Sequence, residues 1–164
     1  MKFYLLLPCL LVTGSLFAQT QSSEEQAIAA TIKTLFDGMY EGDSSKVHSA
    51  FTGAVNTATI FRDKTGAPAL RQEASLDGFL KGVGTPHTEK WTEEFWNVKI
   101  NIDGDMAQAW CDYAFYLDHK FSHCGVDAFL LHKTKNGWKI FHLADTRKRE
   151  GCVIPKEISA KHNQ

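Results

Sequence analysis

The sequence carries almost no excess charge of either sign. Among its 164 residues are 18 Lys or Arg and 19 Asp or Glu, so the formal net charge is −1 with neutral His. This balance excludes nucleic-acid binding driven by bulk electrostatics, and no dense run of basic residues argues for it. Beyond its first twenty residues the chain also lacks an apolar run of membrane length. We therefore expect one globular domain that, in its mature form, binds neither nucleic acid nor a membrane.

The N-terminus has the pattern of a secretory signal peptide. Lys2 precedes the apolar residues 3–12, and small residues follow at Ser15 and Ala18. The apolar stretch is shorter than the about 20 residues that a membrane-spanning helix needs, although a retained signal anchor is the alternative. We predict that residues 1–18 are removed and that the protein is exported, either to the periplasm or as a secreted protein.

Cysteine is also scarce. Cys9 lies in the predicted signal peptide, so Cys111, Cys124 and Cys152 remain, which allows at most one internal disulfide and one free thiol. None of them has a zinc-like spacing. His119 and His123 are four residues apart, but side chains at that spacing do not converge in a hairpin and no third ligand is suitably placed. We predict no metal site and no cofactor.

Three helical segments are predicted in the first half of the chain. Ser22 and Glu25 have the spacing of a capping box, and apolar side chains recur at helical spacing over residues 28–39. Asp43 is a suitable N-cap for a second, short helix. Residues 75–83 carry the apolar stripe of a third helix.

The second half of the chain reads as strands. From Trp96 onward, apolar and polar residues alternate, and turn signals at residues 103–104, 119–120 and 136–137 separate four strands. With an extended segment at 56–61 ahead of them, this order predicts an α+β fold in which N-terminal helices pack on an antiparallel meander sheet. The expected domain spans residues 22–152, followed by a polar tail at 153–164 that we expect to be loosely ordered.

The central predicted strand is apolar on both faces, with Cys111, Tyr113 and Phe115 on one face and Trp110 and Ala114 on the other. One face must meet the helices. The second is too apolar to be left in water, so we expect it to be covered, most simply in a homodimer.

The element order resembles the nuclear transport factor 2-like superfamily of cone-shaped α+β domains. The segments FSHCGVDAF (121–129) and GWKIFHLADTR (137–147) resemble an exported bacterial subgroup labelled SnoaL-like or putative lumazine-binding. The resemblance implies a curved sheet around a conical cavity plugged by the helices, with dimers formed through the sheet. It also implies an Asp, His or Tyr in the cavity, acting on small, flat, mostly apolar molecules without a metal or organic cofactor.

The strand register predicts which polar side chains share a face. If residues 136–137 and 119–120 are two-residue loops, Asp127 lies opposite both Thr146 and Asp112. A one-residue bulge in either hairpin would reverse part of this assignment. The predicted ligand-binding face then carries Trp110, Asp112, Tyr116, His123, Asp127, Trp138, His142 and Thr146.

Asp127 and His142 are the catalytic candidates on this face. Burial near apolar rings raises the pKa of a carboxyl group and lowers that of an imidazole, which brings both toward neutrality and permits general acid–base chemistry. Two alternatives stay open: the side chains orient a ligand without chemistry, or they only satisfy each other or the backbone. Arg62 and Arg71 flank the early turn and are candidates for binding an anionic ligand, or else are solvated or paired with a local acid.

The same register predicts a disulfide. It places Cys124 opposite position 149, three residues before Cys152, whereas Cys111 lies in the middle of its strand. The hypothesis is therefore a bridge between Cys124 and Cys152 that ties the C-terminal tail to the sheet.

With the superfamily resemblance, these residues predict an exported domain that binds a small molecule in a conical pocket. The first alternative is a cofactor-free isomerase or dehydratase that uses Asp127 or His142 as general base. The second is a structural or partner-binding domain whose cone is filled by side chains.

Overall fold

The computed structural model describes residues 22–163, so the predicted signal peptide lies outside the described residues. In this part of the chain the elements are α1 (Ser23–Glu41), α2 (Ser44–Ser49), β1 (Phe51–Arg62), β2 (Pro68–Glu73), α3 (Asp77–Gly84), β3 (Trp91–Asp103), β4 (Met106–Leu117), β5 (Lys120–Thr134), β6 (Gly137–Arg147) and α4 (Lys156–His162). None of these helices has the length and apolar character needed to cross a bilayer.

The first helix begins and ends as its sequence predicts. The backbone N–H of Glu25 donates to Ser22 Oγ and the backbone N–H of Ser22 donates to the Glu25 carboxylate, which completes the capping box. Gly42 ends the helix in the left-handed conformation (φ 70°) that favours glycine. The apolar stripe of α1, which includes Ile28, Ile32 and Leu35, is fully buried against the sheet.

All six strands form one open sheet in the order β2-β1-β6-β5-β4-β3. Every neighbouring pair is antiparallel except β1 and β6, which run parallel. The predicted α+β fold, with N-terminal helices on a curved and mostly antiparallel sheet, is confirmed. The sheet is larger than the predicted four-stranded meander, because β1 and β2 extend it beyond β6.

The predicted register of the two central hairpins is wrong. Asp127 lies opposite Cys111 rather than Asp112, and opposite Asp145 rather than Thr146. The tight loops begin one residue earlier than expected, because Leu117 pairs with Lys120 and Thr134 pairs with Gly137. Each hairpin also contains a register shift, and because side chains alternate between faces, a one-residue shift moves a side chain to the other side of the sheet.

The concave side of the sheet changes from apolar to polar along the strands. Near the start of α1 it is filled by tightly packed side chains, among them Phe129, Leu131, Trp138 and Ile140, each 3% exposed or less. Farther along, β5 continues from Phe129 to Asp127 on the same face. The polar side chains of the concave face are therefore concentrated at the end of the sheet where β1 and β6 finish and β5 begins. This end is termed the wide end.

The C-terminal segment is more ordered than the sequence predicts. Residues 156–162 form α4, whose His162 ring stacks on Tyr116 at 3.7 Å between ring centroids. Lys161 Nζ lies 2.8 Å from the Glu94 carboxylate, and Cys124 and Cys152 form a disulfide. The expectation of a loosely ordered tail is wrong, because these contacts dock the segment on the convex side of the sheet.

Candidate functional site

Three carboxyl groups lie close together on the concave face. Asp127 on β5 and Asp145 on β6 are directly paired and only 3% and 9% exposed. Glu93 on β3 pairs with Phe115, which places it on the same face. Like charges directly opposed across strands are destabilising, so this arrangement requires compensation by hydrogen bonds, a counter-ion or a bound proton.

Asp145 is compensated by side-chain donors from β1 and β6. Thr59 Oγ1 donates to Asp145 Oδ1 at 2.7 Å, and Arg147 Nε donates to Oδ2 at 2.6 Å. The Tyr113 hydroxyl lies 3.4 Å from the same Oδ2. These contacts fix the position of the Asp145 carboxylate.

Asp127 has no such set of donors. Its Oδ2 is buried, and within residues 22–163 no N–H or O–H group donates to it. The Glu93 carboxyl is its hydrogen-bonding neighbour, and a bond between two carboxyl groups requires a proton on one of them. The geometry therefore calls for a proton held between Glu93 and Asp127.

The pKa shifts of the pair have the same physical origin. Burial raises the pKa of Glu93 to about 7, and the hydrogen bond from Asp127 opposes that rise. Burial also raises the pKa of Asp127 well above its ordinary value, and the charge of Glu93 adds to it. The pair therefore retains a shared proton near neutral pH.

Tyr113 reaches the acidic cluster because its cross-strand partner is Gly125. The Tyr113 hydroxyl donates to the backbone carbonyl of Thr146 at 3.0 Å. A Cβ atom at Gly125 would lie only 1.7 Å from that carbonyl oxygen, so no other residue fits there without movement of the strands. Burial raises the pKa of the Tyr113 hydroxyl, which keeps it a neutral donor.

His123 lies at the wide end of the same face. Its ring contacts Tyr113 and Phe115 at centroid distances of 5.7 and 5.0 Å. Burial, followed by the charge of Arg147, lowers the pKa of His123 to about 4. The imidazole is therefore neutral at physiological pH and can accept or donate a hydrogen bond without carrying charge.

An open groove of about 1030 Å³ lies beside this cluster. Thr59, His123 and Arg147 line it and also contact the acidic cluster or its aromatic neighbours. Its remaining walls come from the β1–β2 turn and from the segment after β6.

The structure brings together only part of the predicted face. His123 and Asp127 share the concave side, and Arg62 lines the groove, where its Nη1 donates to the Gly66 carbonyl at 2.7 Å. Trp138 is also on the concave side, but at the opposite end, where its Nε1 donates to Glu24 Oε2 at 2.7 Å. Trp138 therefore closes the apolar core and does not line the groove.

The other predicted residues lie on the convex side. Asp112 accepts a hydrogen bond from Asn97 Nδ2 at 2.7 Å, and Trp110 is 46% exposed. His142 is paired with Leu130 on β5, which carries its side chain to the face opposite Asp127. Tyr116 and Thr146 also fall outside the acidic cluster, Tyr116 beneath α4. The predicted meeting of Asp127 and His142 on one face is wrong, for the register reason given above.

Three residues of the cluster were missed as site candidates: Glu93, Tyr113 and Asp145. Glu93 precedes the strand start expected at Trp96, whereas β3 begins at Trp91. The signal was available, because Trp91, Glu93 and Phe95 alternate with period two and place an acid between two aromatic side chains. The predicted register, which pairs Asp127 with Asp112 and Thr146, places Tyr113 and Asp145 on the face opposite Asp127.

The cluster is suited to proton transfer and hydrogen bonding. Within residues 22–163, no three His, Cys, Asp or Glu side chains are grouped as a metal site would require. A carboxyl pair that shares a proton near neutral pH can donate to one ligand atom and accept from another.

Comparisons with known proteins give the same fold. A model of the family described as "Putative lumazine-binding" matches residues 23–143, well over half of the chain. No match was found among curated proteins.

Solved structures with this fold are distant in sequence. An NTF2-like protein of unknown function from Shewanella baltica is 16% identical, with a TM-score of 0.57 over 77% of this chain and 95% of that one. A protein from Streptomyces avermitilis described as a putative dehydratase of the NTF2-like family is 14% identical, with a TM-score of 0.59 over 76% and 96%. An NTF2-like protein with a cystatin-like fold from Novosphingobium aromaticivorans is 12% identical, with a TM-score of 0.60 over 86% and 89%.

Proposed function

Because the chain belongs to the putative lumazine-binding family of nuclear transport factor 2-like proteins, we propose that it binds a small molecule at the wide end of its cone. The observation that carries the proposal is the buried carboxyl group of Asp127. Among the described residues no N–H or O–H group donates to its Oδ2, and its carboxyl neighbour Glu93 can only share a proton with it. Unsatisfied buried polar atoms are costly, and a ligand donor would satisfy this one.

The location follows from the distribution of space. The narrow end of the cone is filled by apolar side chains, whereas the groove at the wide end is about 1030 Å³. Ligand sites are usually clefts of about 300–1,000 Å³ with a few convergent polar groups. The ligand therefore enters between the β1–β2 turn and the end of β6 and meets the acidic cluster with its uncharged polar end.

Native mass spectrometry of the protein purified from its own source tests this proposal. We expect one small molecule per chain, and we expect Asp127→Asn to lose it while Asp112→Asn retains it. Asp112 is a matched control because it is an acid one position from the Asp127 partner Cys111, on the opposite face. Retention by both variants, or a chain that is never occupied, would overturn the proposal.

The raised pKa of the carboxyl pair favours a second candidate, a cofactor-free isomerase or dehydratase. In the isomerase reaction Asp127 gives its proton to a substrate carbonyl oxygen while the Glu93 carboxylate removes a proton from the adjacent carbon. In a substrate with a neighbouring C=C bond, the resulting dienol returns to a carbonyl when Glu93 gives its proton to the far carbon of that bond and Asp127 takes back the hydroxyl proton. The double bond has then moved and the pair ends as it began. Glu93 thus takes the role of general base that the sequence assigned to Asp127 or His142, and Asp127 acts as the acid.

Proton exchange tests this second candidate. Cyclohexanone and related enolisable ketones in D2O should gain deuterium at the carbon next to the carbonyl, as followed by NMR. Glu93→Gln should abolish the exchange, and Glu94→Gln, the neighbouring acid that pairs with Lys161 on the other face, should leave it unchanged. An unchanged rate of deuterium exchange in Glu93→Gln would contradict the proposed catalytic role of the pair.

We further propose that the protein is exported and forms a homodimer through the convex face. The signal-peptide pattern of residues 1–18 and the disulfide between Cys124 and Cys152 support export. Exposed Trp110 and Leu70 on the outer face support a second copy as its cover. N-terminal sequencing should begin at Gln19, and Trp110→Glu should convert a dimer to a monomer in sedimentation equilibrium, whereas Lys135→Glu should not.

A further inference from the structure

The groove concentrates positive charge in a chain that has none in excess. Six of the 18 Lys and Arg residues line it, against two of the 19 acids. The resulting local potential is positive although the whole chain is close to neutral. The cations are Arg62, Lys64, Arg71, Arg147, Lys148 and Arg149, and the acids are Asp63 and Glu150.

Asp63 is already engaged by its own turn. Its Oδ1 accepts from the backbone N–H of Thr65 at 2.8 Å, from the Thr65 hydroxyl at 2.6 Å and from the backbone N–H of Ala67 at 3.1 Å. This carboxylate therefore holds the β1–β2 turn together and does not neutralise the groove by a side-chain ion pair.

The cations, in contrast, retain donors for a ligand. Arg71 forms an exposed ion pair with Glu73 at 3.7 Å, too long for a hydrogen bond, and Arg147 uses only Nε on Asp145. The side chains of Lys64 and Arg149 have no hydrogen-bond or ion-pair partner within residues 22–163. Guanidinium groups with free N–H edges are the donors that match carboxylate and phosphate geometry.

The backbone register connects these cations to the carboxyl pair. Arg71 pairs with Thr59, Thr59 with Asp145, and Asp145 with Asp127, so four adjacent strands carry one row of residues. Directly paired residues point to the same face, so Arg71 shares the concave side with Asp127. Three strand spacings separate their backbones by about 14 Å, which an arginine side chain and a ring-sized molecule together can span.

We propose that the ligand of this site is a small molecule that carries an oxyanion, a carboxylate or a phosphate monoester, at one end and an uncharged polar group at the other. The inference rests on the proposed function and deepens it. Arg71 and Arg149 hold the oxyanion, and the uncharged group meets Glu93 and Asp127. The row Arg71–Thr59–Asp145–Asp127 sets the distance between the two ends.

Calorimetric titration of the protein purified from its own source tests the inference with simple probes. Benzoate, phenyl phosphate, inorganic phosphate and the uncharged benzamide are titrated into wild type and into the double variant Arg71→Gln/Arg149→Gln. Both arginines are exposed, so the double variant should keep the wild-type circular dichroism and melting temperature. Lys135→Gln, an exposed cation in the turn at the opposite end of the sheet, is the matched control.

We expect benzoate or phenyl phosphate to bind wild type at least tenfold more tightly than benzamide does. The double variant should lose at least tenfold in affinity for that probe, and Lys135→Gln should lose none. Raising NaCl from 50 to 500 mM should weaken binding to wild type, because salt screens the attraction between exposed charges.

Four results would overturn the inference, and three of them concern the aromatic probes and the double variant. These are benzamide binding as tightly as benzoate, no loss in the double variant, and no detectable binding of either aromatic anion. Inorganic phosphate binding as tightly as phenyl phosphate would also overturn it, because the groove would then hold an adventitious ion only.

The variants separate this inference from the proposed function. If uncharged probes bind in a manner that depends on Asp127 and not on the arginines, the oxyanion inference fails and the proposed site stands. If anion binding depends on the arginines but is unchanged in Asp127→Asn, the carboxyl pair fails as the binding determinant and the anion site stands.

Discussion

Asp127 and Asp145 face each other across β5 and β6, and both are almost excluded from solvent. The two side chains differ in their hydrogen-bonding partners. Asp145 receives hydrogen bonds from Thr59 and Arg147, whereas Asp127 shares a proton with Glu93. One acid is thus held as a structural acceptor and the other as part of a protonated pair, which is the arrangement on which the proposed function depends.

The pH dependence of stability should report this pair. Its pKa values are raised in the folded protein, so the folded state binds more protons than the unfolded state and stability falls as pH rises. Between pH 5 and 7, the range below the folded-state pKa of about 7 of Glu93, we expect the pair to remove about 1–3 kcal/mol of unfolding free energy from wild type in urea titrations. Asp127→Asn should have a smaller slope and Asp112→Asn the wild-type slope. A flat wild-type profile would contradict the shared proton.

His123 should titrate far below an ordinary histidine. Burial lowers its pKa to about 4, so its folded-state contribution to stability is present above pH 6.5 and is lost as pH falls toward 4. In a proton NMR titration the His123 ring signal should stay at its neutral position at pH 5.5. A His123 midpoint near 6.5 would show that the ring is not desolvated in solution.

Replacement of Gly125 should be among the most disruptive small changes. Gly125→Ala places a Cβ 1.7 Å from the Thr146 carbonyl oxygen, and such overpacking costs about 1–3 kcal/mol or more of unfolding free energy. Gly53→Ala, at a strand glycine with no atom within 4 Å of the added Cβ, is the control and should change stability by less than about 1 kcal/mol. Equal effects at the two positions would refute the close approach of the strands.

The disulfide should contribute to stability chiefly through the C-terminal segment. Cys124 and Cys152 are 28 residues apart, and closing such a loop stabilises a fold by about 3 kcal/mol. The double variant Cys124→Ala/Cys152→Ala should unfold at lower urea, and dithiothreitol should shift wild type but not this variant. If dithiothreitol lowers the urea midpoint of wild type and of the double variant equally, reduction of this disulfide does not cause the loss of stability.

Short-range sequence patterns predicted the helices and most of the strands, but they did not predict how distant strands pair. Ser22, Asp43 and Gly42 act within one helical turn, so caps and helix ends are legible from neighbouring residues. Glu93 could have been placed by the alternation around it. Pairing β1 beside β6 could not, because a parallel contact between segments more than 80 residues apart leaves no local pattern.

The sequence by itself determined the helices, most of the strands and the α+β class, since these depend on short-range periodicity. It also indicated the family, through the segments 121–129 and 137–147. The tertiary structure alone decided which acids meet. A tight loop that begins one residue early, together with one bulge in each hairpin, carries Asp127 to the side of Asp145 and takes it away from His142. The reason is that side chains alternate along a strand, so a single inserted residue exchanges the two faces of everything that follows it.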